Sequence, residues 1–214
     1  MPGDNRNWCA VGRATGMWAG VTSLVRLQRC ADVVFRTGEQ EMRFAVLLRG
    51  VNAGPNNRVD MAALRAALDR DVFDDVSTHL QSGNVALTCQ GTADEVEASV
   101  RQVLGSGFGL NVGVVVRNAD ALRAVVAENP LREVATDPRR YFVIFCSQPH
   151  DSARVPAPVP PEALACRPRE LFLWCPNGAA ASKLMPVLGR KPPAPVTTFR
   201  NWNTVTALAH MLEP

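Results

Sequence analysis

The sequence predicts an α+β protein made of two packed ferredoxin-like units, each running strand, helix, strand, strand, helix, strand, with extra helices. Three observations predict it. Apolar runs of strand length, Phe44–Leu48 and Tyr141–Cys146 among them, lack polar alternation and read as strands buried on both faces. Other segments place apolar residues at helical spacing, as Val96, Val100, Val103 and Leu104 do. Finally, the order of elements after Met42 runs through twice, although no residue-level repeat is visible.

Residues 1–41 show neither period and scatter Trp8, Cys9, Trp18 and Cys30 without pattern. They are read as an irregular N-terminal extension, with Met42 as the true start of an over-extended gene. An ordered arm and a poor targeting segment are the alternatives. The first unit, 42–130, opens with the strand Phe44–Leu48 and a Gly/Asn-rich loop. Asp60 then caps a helix over Met61–Leu68. Val76–Leu80 and Val85–Thr88 flank Gln81-Ser82-Gly83-Asn84, a hairpin tip by its turn residues. Thr92 or Asp94 caps the next helix, and Val112–Val116 is the fourth strand. A helix over Ala119–Glu128 stops at Asn129-Pro130, because the residue before proline disfavours helical backbone.

The second unit, 131–214, begins with Tyr141–Cys146. Pro149–Pro161 carries five prolines and reads as an extended connector. A helical turn is expected at Glu162–Ala165, a strand at Leu171–Cys175, and a helix over Ala179–Leu188 confined by Pro186. After the strand Val196–Phe199, Asn201 or Asn203 caps a last helix with Val205, Leu208, Ala209 and Leu212 on its apolar face.

Bulk properties narrow the function classes. A net charge of +3 without charge runs is mild for a dedicated nucleic-acid binder. No apolar stretch approaches the ~20 residues of a membrane span. The six cysteines form no CxxC pair and no zinc spacing, which fits a reduced cytosolic protein and assigns no metal or cofactor. No Ser-His-Asp order or HExxH motif is present, and His79, His150 and His210 read as structural or solvated. No catalytic residue is assigned, and whether the protein is an enzyme stays open.

Three polar clusters remain. The loop Gly50–Asn57 offers backbone amides ahead of a helix, which suits an anion. The plainer reading, favoured on residue chemistry, is a turn needing Gly and Asn at positive φ. Turn chemistry explains Ser82, Gly83 and Asn84 but not Gln81. Arg200-Asn201-Trp202-Asn203-Thr204 holds more donors than one helix cap uses, so it is either a ligand pocket or a hydrogen-bonded lock between the units. Lys183, one of two lysines, falls in the first turn of a helix, where a cation opposes the dipole.

The expected site is an interdomain cleft lined by Arg49, Asn52, Asn57, Gln81, Asn84, Lys183, Arg200, Asn201, Asn203 and Thr204, binding a small anionic or nucleotide-like molecule. The alternatives are single-stranded nucleic acid on a ferredoxin-like sheet, and a ligand-free lock in which Asn203 takes part. No membrane partner is expected, and oligomeric state is left open.

Leu47–Gly54 with Asn57-Arg58-Val59, Gln81-Ser82-Gly83-Asn84-Val85, and Ser182-Lys183-Leu184 followed by Arg200–Thr206 jointly resemble the bacterial family known as domain of unknown function 1697. The resemblance runs from about Met42 to the C-terminus. It implies a two-part α+β protein on ferredoxin-like units and a shared site at the three clusters, and it carries no catalytic residue over. Two departures stand out: Ala180-Ala181 where the family tends to have Gly-Arg, and a proline-rich Lys191–Pro195.

Overall fold

Two four-stranded antiparallel sheets, in the orders β2-β3-β1-β4 and β6-β7-β5-β8, form the framework. The first sheet comprises β1 (Met42–Leu48), β2 (Asp74–His79), β3 (Asn84–Cys89) and β4 (Val114–Asn118). α1 (Met61–Asp71) links β1 to β2, and α2 (Ala93–Phe108) links β3 to β4. This is the ferredoxin-like arrangement expected from the element order. The second sheet comprises β5 (Tyr141–Cys146), β6 (Ala163–Arg167), β7 (Glu170–Trp174) and β8 (Thr197–Asn201). It repeats the strand order with far less helix. Among the described residues, its crossovers hold a 3₁₀ turn at Ser152–Arg154, another at Ala179–Ala181, and the four-residue α4 (Met185–Leu188). α3 (Ala119–Ala127) follows β4, and α5 (Trp202–Met211) follows β8. This computed structural model describes residues 41–71, 73–189 and 195–213, so the readings of 1–40 as an extension and of Lys191–Ala194 lie outside the described residues.

Strand pleating divides the apolar residues between three cores. Phe44, Val46 and Leu48 share one face of the first sheet and bury against Met61, Leu64 and Leu68 of α1 and Val96, Val100 and Leu104 of α2. The opposite face, with Ala45, Leu47, Ala86 and Val115, meets Tyr141, Val143, Phe145, Phe172 and Trp174 of the second sheet. Leu122 and Val125 of α3 and Val205 and Leu208 of α5 close the same core. This explains why the strands carry no polar alternation: each of these sheets is covered on both sides. The far face of the second sheet holds Ile144, Leu171, Leu173 and Cys175, with Leu184 and Met185 packed over it.

Local chemistry sets the helix starts. The Thr92 hydroxyl accepts from the Glu95 amide at 3.3 Å while the Glu95 carboxylate accepts from the Thr92 amide at 2.7 Å, a complete capping box on α2. Asn118 caps α3 by accepting from Ala121 N at 2.8 Å.

Four expectations need correction. Glu162–Ala165 forms no helical turn: Ala163–Arg167 is the edge strand β6, because its backbone pairs with β7 from Ala163↔Trp174 to Arg167↔Glu170. The helix over Ala179–Leu188 is broken at Ser182, whose extended backbone (ψ 130°) separates the 3₁₀ turn from α4. Lys183 therefore lies between two short pieces and not in a helical first turn. β4 and β8 end two residues later than the apolar runs suggested, at Asn118 and Asn201. Arg200 is consequently a strand residue with a fixed facing. Finally, β2 begins at Asp74 and carries an irregular register at Asp75, a non-glycine residue with φ 49°.

Candidate functional site

Antiparallel register aims Arg200 at the first sheet. It lies opposite Val143, so both share the face of the second sheet that packs on Ala45 and Leu47. The side chain runs to the end of β1 and the β2–β3 turn, and the residue is 7% exposed. Every N–H of its guanidinium is directed at an acceptor. Nε donates to Asn84 Oδ1. Nη1 donates to Thr198 Oγ1 at 2.8 Å and to the Phe199 carbonyl at 2.7 Å. Nη2 donates to the carbonyls of Leu48 (2.9 Å), Ser82 (3.0 Å) and Gly83 (3.1 Å). No carboxylate is among these partners, and burial lowers the guanidinium pKa to about 10.

Asn84 is fully buried and uses both ends of its amide. Its oxygen accepts from Arg200, while Nδ2 donates to the His79 carbonyl at 2.8 Å and to Ser82 Oγ at 3.1 Å. A carboxylate could not replace it, since it has no proton to offer His79. Gly83 has φ 77°, and a Cβ there would lie 2.3 Å from Val51 Cγ2 and 2.8 Å from Leu48 Cβ. Only glycine lets the turn approach β1, where Leu48 N donates to the Gly83 carbonyl at 2.8 Å.

The neighbouring loop is tied to itself. Asn52, at φ 53°, accepts from Val59 N at 2.9 Å and donates to the carbonyls of Val59 (2.9 Å) and Gln81 (2.8 Å). Asn57, at φ 56°, contributes its carbonyl to Asn52 N at 3.1 Å. Asp60 then accepts from Ala62 N at 2.9 Å, so a carboxylate already stands at the start of α1. That negative charge disfavours a second anion there and supports the turn reading of this loop. Arg49 donates to the Gly189 carbonyl at 2.7 Å and so joins the end of β1 to the segment after α4.

The C-terminal cluster divides its work. Asn201 caps α5, accepting from Thr204 N at 3.0 Å and Thr204 Oγ1 at 2.9 Å. Trp202 stacks on Tyr141 at 4.8 Å between ring centroids. Tyr141 in turn donates to Asn129 Oδ1 at 2.6 Å, and burial raises the pKa of its phenol.

The fold therefore unites Arg200 with Asn84, sets Arg49 and Asn52 beside them through the same loop ends, and places Asn201 and Thr204 behind as a cap. Asn57, Gln81 and Asn203 have exposed side chains. The Asn203 carbonyl accepts from Thr206 Oγ1 at 3.1 Å. Lys183 belongs elsewhere, in a cleft of about 180 Å³ lined by Val159, Pro161, Glu162 and Asn177.

Sequence reasoning missed Arg117, a β4 residue 4% exposed that donates to Glu170, Val116, Cys146 and Arg169. Its signal was present: the dipeptide Arg-Asn ends both β4 and β8. Burial lowers the Arg117 pKa, and Glu170 opposes that shift. Burial also pushes the Cys89 and Cys146 thiols up to about 11, which leaves them protonated and unreactive at neutral pH. Among the described residues, no group of His, Cys, Asp and Glu could hold a metal ion.

These features define an α+β protein of two ferredoxin-like halves, packed sheet against sheet and bridged by buried arginine. The family model described as "Protein of unknown function (DUF1697)" matches residues 42–171, and the chain belongs to this family. Its fold is similar to "The structure of conserved bacterial protein SP0830 from Streptococcus pneumoniae", with a TM-score of 0.68 and 20% identity, covering 81% of this chain and 100% of that one. No curated protein matches the chain.

Proposed function

We propose that the Arg/Asn constellation is a lock that makes one body of the halves 42–130 and 131–214, and not a ligand pocket. One observation carries this reading: all the N–H groups of the Arg200 guanidinium already point at protein acceptors on both halves. A ligand would have to displace bonds whose acceptors are buried, at roughly 1–3 kcal/mol for each one left unmade. A reducing cytosol suits the free thiols of Cys89, Cys146, Cys166 and Cys175. Among the described residues no helix is long and apolar enough to cross a membrane.

Nucleic-acid binding fares worse. Ferredoxin-like sheets bind single strands on the face opposite their helices. Here that face of the first sheet is packed against Tyr141, Phe145 and Phe172. A second reading retains one specific observation. Lys183 is exposed and lines its own cleft with Glu162, Asn177 and Gly178, where a small anionic or nucleotide-like ligand would meet a cation.

Thermal shift separates the two. A panel of nucleotides and phosphorylated metabolites is titrated into wild type, Arg200→Lys and Lys183→Met. The lock reading expects a lowered melting temperature for Arg200→Lys and no ligand-dependent shift that Arg200 controls. A wild-type ligand shift abolished by Arg200→Lys in a protein of unchanged melting temperature would overturn it. A shift abolished only by Lys183→Met would establish the second reading.

A further inference from the structure

The strand orders of the two sheets correspond one to one, β2-β3-β1-β4 with β6-β7-β5-β8, and they make Arg117 the counterpart of Arg200. Their contacts correspond as well, and they cross between halves. Arg200 reaches Leu48 at the end of β1, Gly83 just before β3, and Asn84 at the start of β3. Arg117 reaches Cys146 at the end of β5 (2.8 Å), Arg169 just before β7 (3.1 Å), and Glu170 at the start of β7 (2.8 Å).

The backbone around each arginine repeats too. Leu48 N donates to Gly83 O, and Cys146 N to Arg169 O, both at 2.8 Å. Arg49 N donates to Gly113 O, and Ser147 N to Val196 O, again both at 2.8 Å. The asparagine after each arginine caps the following helix: Asn118 accepts from Ala121 N and Asn201 from Thr204 N. The counterparts Gly113 and Val196 are also neighbours, since a Cβ on Gly113 would lie 2.4 Å from Val196 Cγ1. In a twofold arrangement a residue touches its own counterpart only near the axis. A twofold axis relating the halves would pass there, where Gly113 carries no Cβ to meet Val196.

Resting on the lock reading, we infer that the junction is isologous: each half clamps the other with the same arginine, and the sheet face each presents fits a second half of the same kind. The chain is thus built as a twofold pair of units joined covalently through residues 128–140. Several counterparts differ in charge: Arg169 stands where the first half has Gly83, and Ser147 where it has Arg49. Glu170 gives Arg117 a carboxylate, whereas Asn84 gives Arg200 an amide. The two clamps share geometry and differ in electrostatics.

Hydrogen–deuterium exchange on the full chain tests this, with Arg200→Met and Arg117→Met compared with wild type. Each substitution is expected to deprotect the opposite half. Arg200→Met should speed exchange about tenfold around residues 48–49 and 82–85, and Arg117→Met likewise around 146–147 and 168–171. If Arg200→Met acts across the junction but Arg117→Met leaves 146–147 and 168–171 at wild-type rates, the twofold inference falls and the lock stands. If neither substitution alters the opposite half, both fall. Should either methionine variant fail to fold, Arg117→Lys and Arg200→Lys are read at the same peptides, with the same two outcomes deciding.

Discussion

Replacing Arg200 with methionine isolates the worth of the lock, because methionine keeps most of the volume and removes every donor. Four acceptors on the first half lose a bond. Asn84 Oδ1 is fully buried and is left with no donor, which costs about 1–3 kcal/mol. The Gly83 carbonyl keeps Leu48 N, and the Leu48 carbonyl keeps Thr198 Oγ1 at 3.4 Å. Those two lose half of their coordination, and the Ser82 carbonyl, on an exposed residue, can turn to water. A gain opposes the losses. Arg200 carries a charge into a buried site without a carboxylate, and methionine removes that desolvation. The balance is a loss of about 2–4 kcal/mol, smaller than the ~3–5 kcal/mol typical of breaking a buried ion pair. For a chain of this length that is roughly 5–15 °C in melting temperature. Differential scanning fluorimetry and urea unfolding measure it, with exposed Asn203→Ala as a control expected within about 0.5 kcal/mol of wild type. An Arg200→Met protein that melts with the wild type would refute the reasoning, because the bonds would then contribute nothing net.

Gly83→Ala forces a side chain into φ 77° and into contact at 2.3 Å with Val51, and a loss of about 2–4 kcal/mol is expected from urea midpoints. Asn201→Ala removes the α5 cap and should lower stability by about 1 kcal/mol with an unchanged urea m-value. Brief iodoacetamide treatment of the native protein, followed by peptide mapping, should label Cys166 well before Cys89, Cys146 and Cys175, which are buried. As pH rises toward about 11, where burial places the Cys89 and Cys146 thiols, these two should become labelled as well.

Elements whose cause lies within a few residues were legible in the sequence. The cap at Thr92, the stop at Asn129-Pro130, the turn around Gly83 and an asparagine cap on the last helix, left between Asn201 and Asn203, all rest on hydrogen bonds or φ preferences local to the chain. β6 was not legible. Ala163–Arg167 has no strand pattern of its own and is extended because β7 supplies its partners. The split before α4 has a similar cause, since Ser182 Oγ accepts from Leu184 N and Met185 N only once the backbone has bent there.

The site shows the same division. The unusual residues of Arg200–Thr204 and Gln81–Asn84 were recognisable as polar groups in need of partners. Arg117 carries the same information in its Arg-Asn dipeptide but sits in an otherwise ordinary strand.

By itself, the sequence determined the strands buried on both faces, the repeated order of elements and the clusters of donors and acceptors, because periodicity and turn chemistry are properties of neighbouring residues. Only the tertiary structure decided which donor meets which acceptor. Arg200 and Asn84 are 116 residues apart, and their encounter depends on strand register and sheet stacking. A one-residue slip in the pairing of β8 with β5 would turn that guanidinium from the buried face to the other side of its sheet.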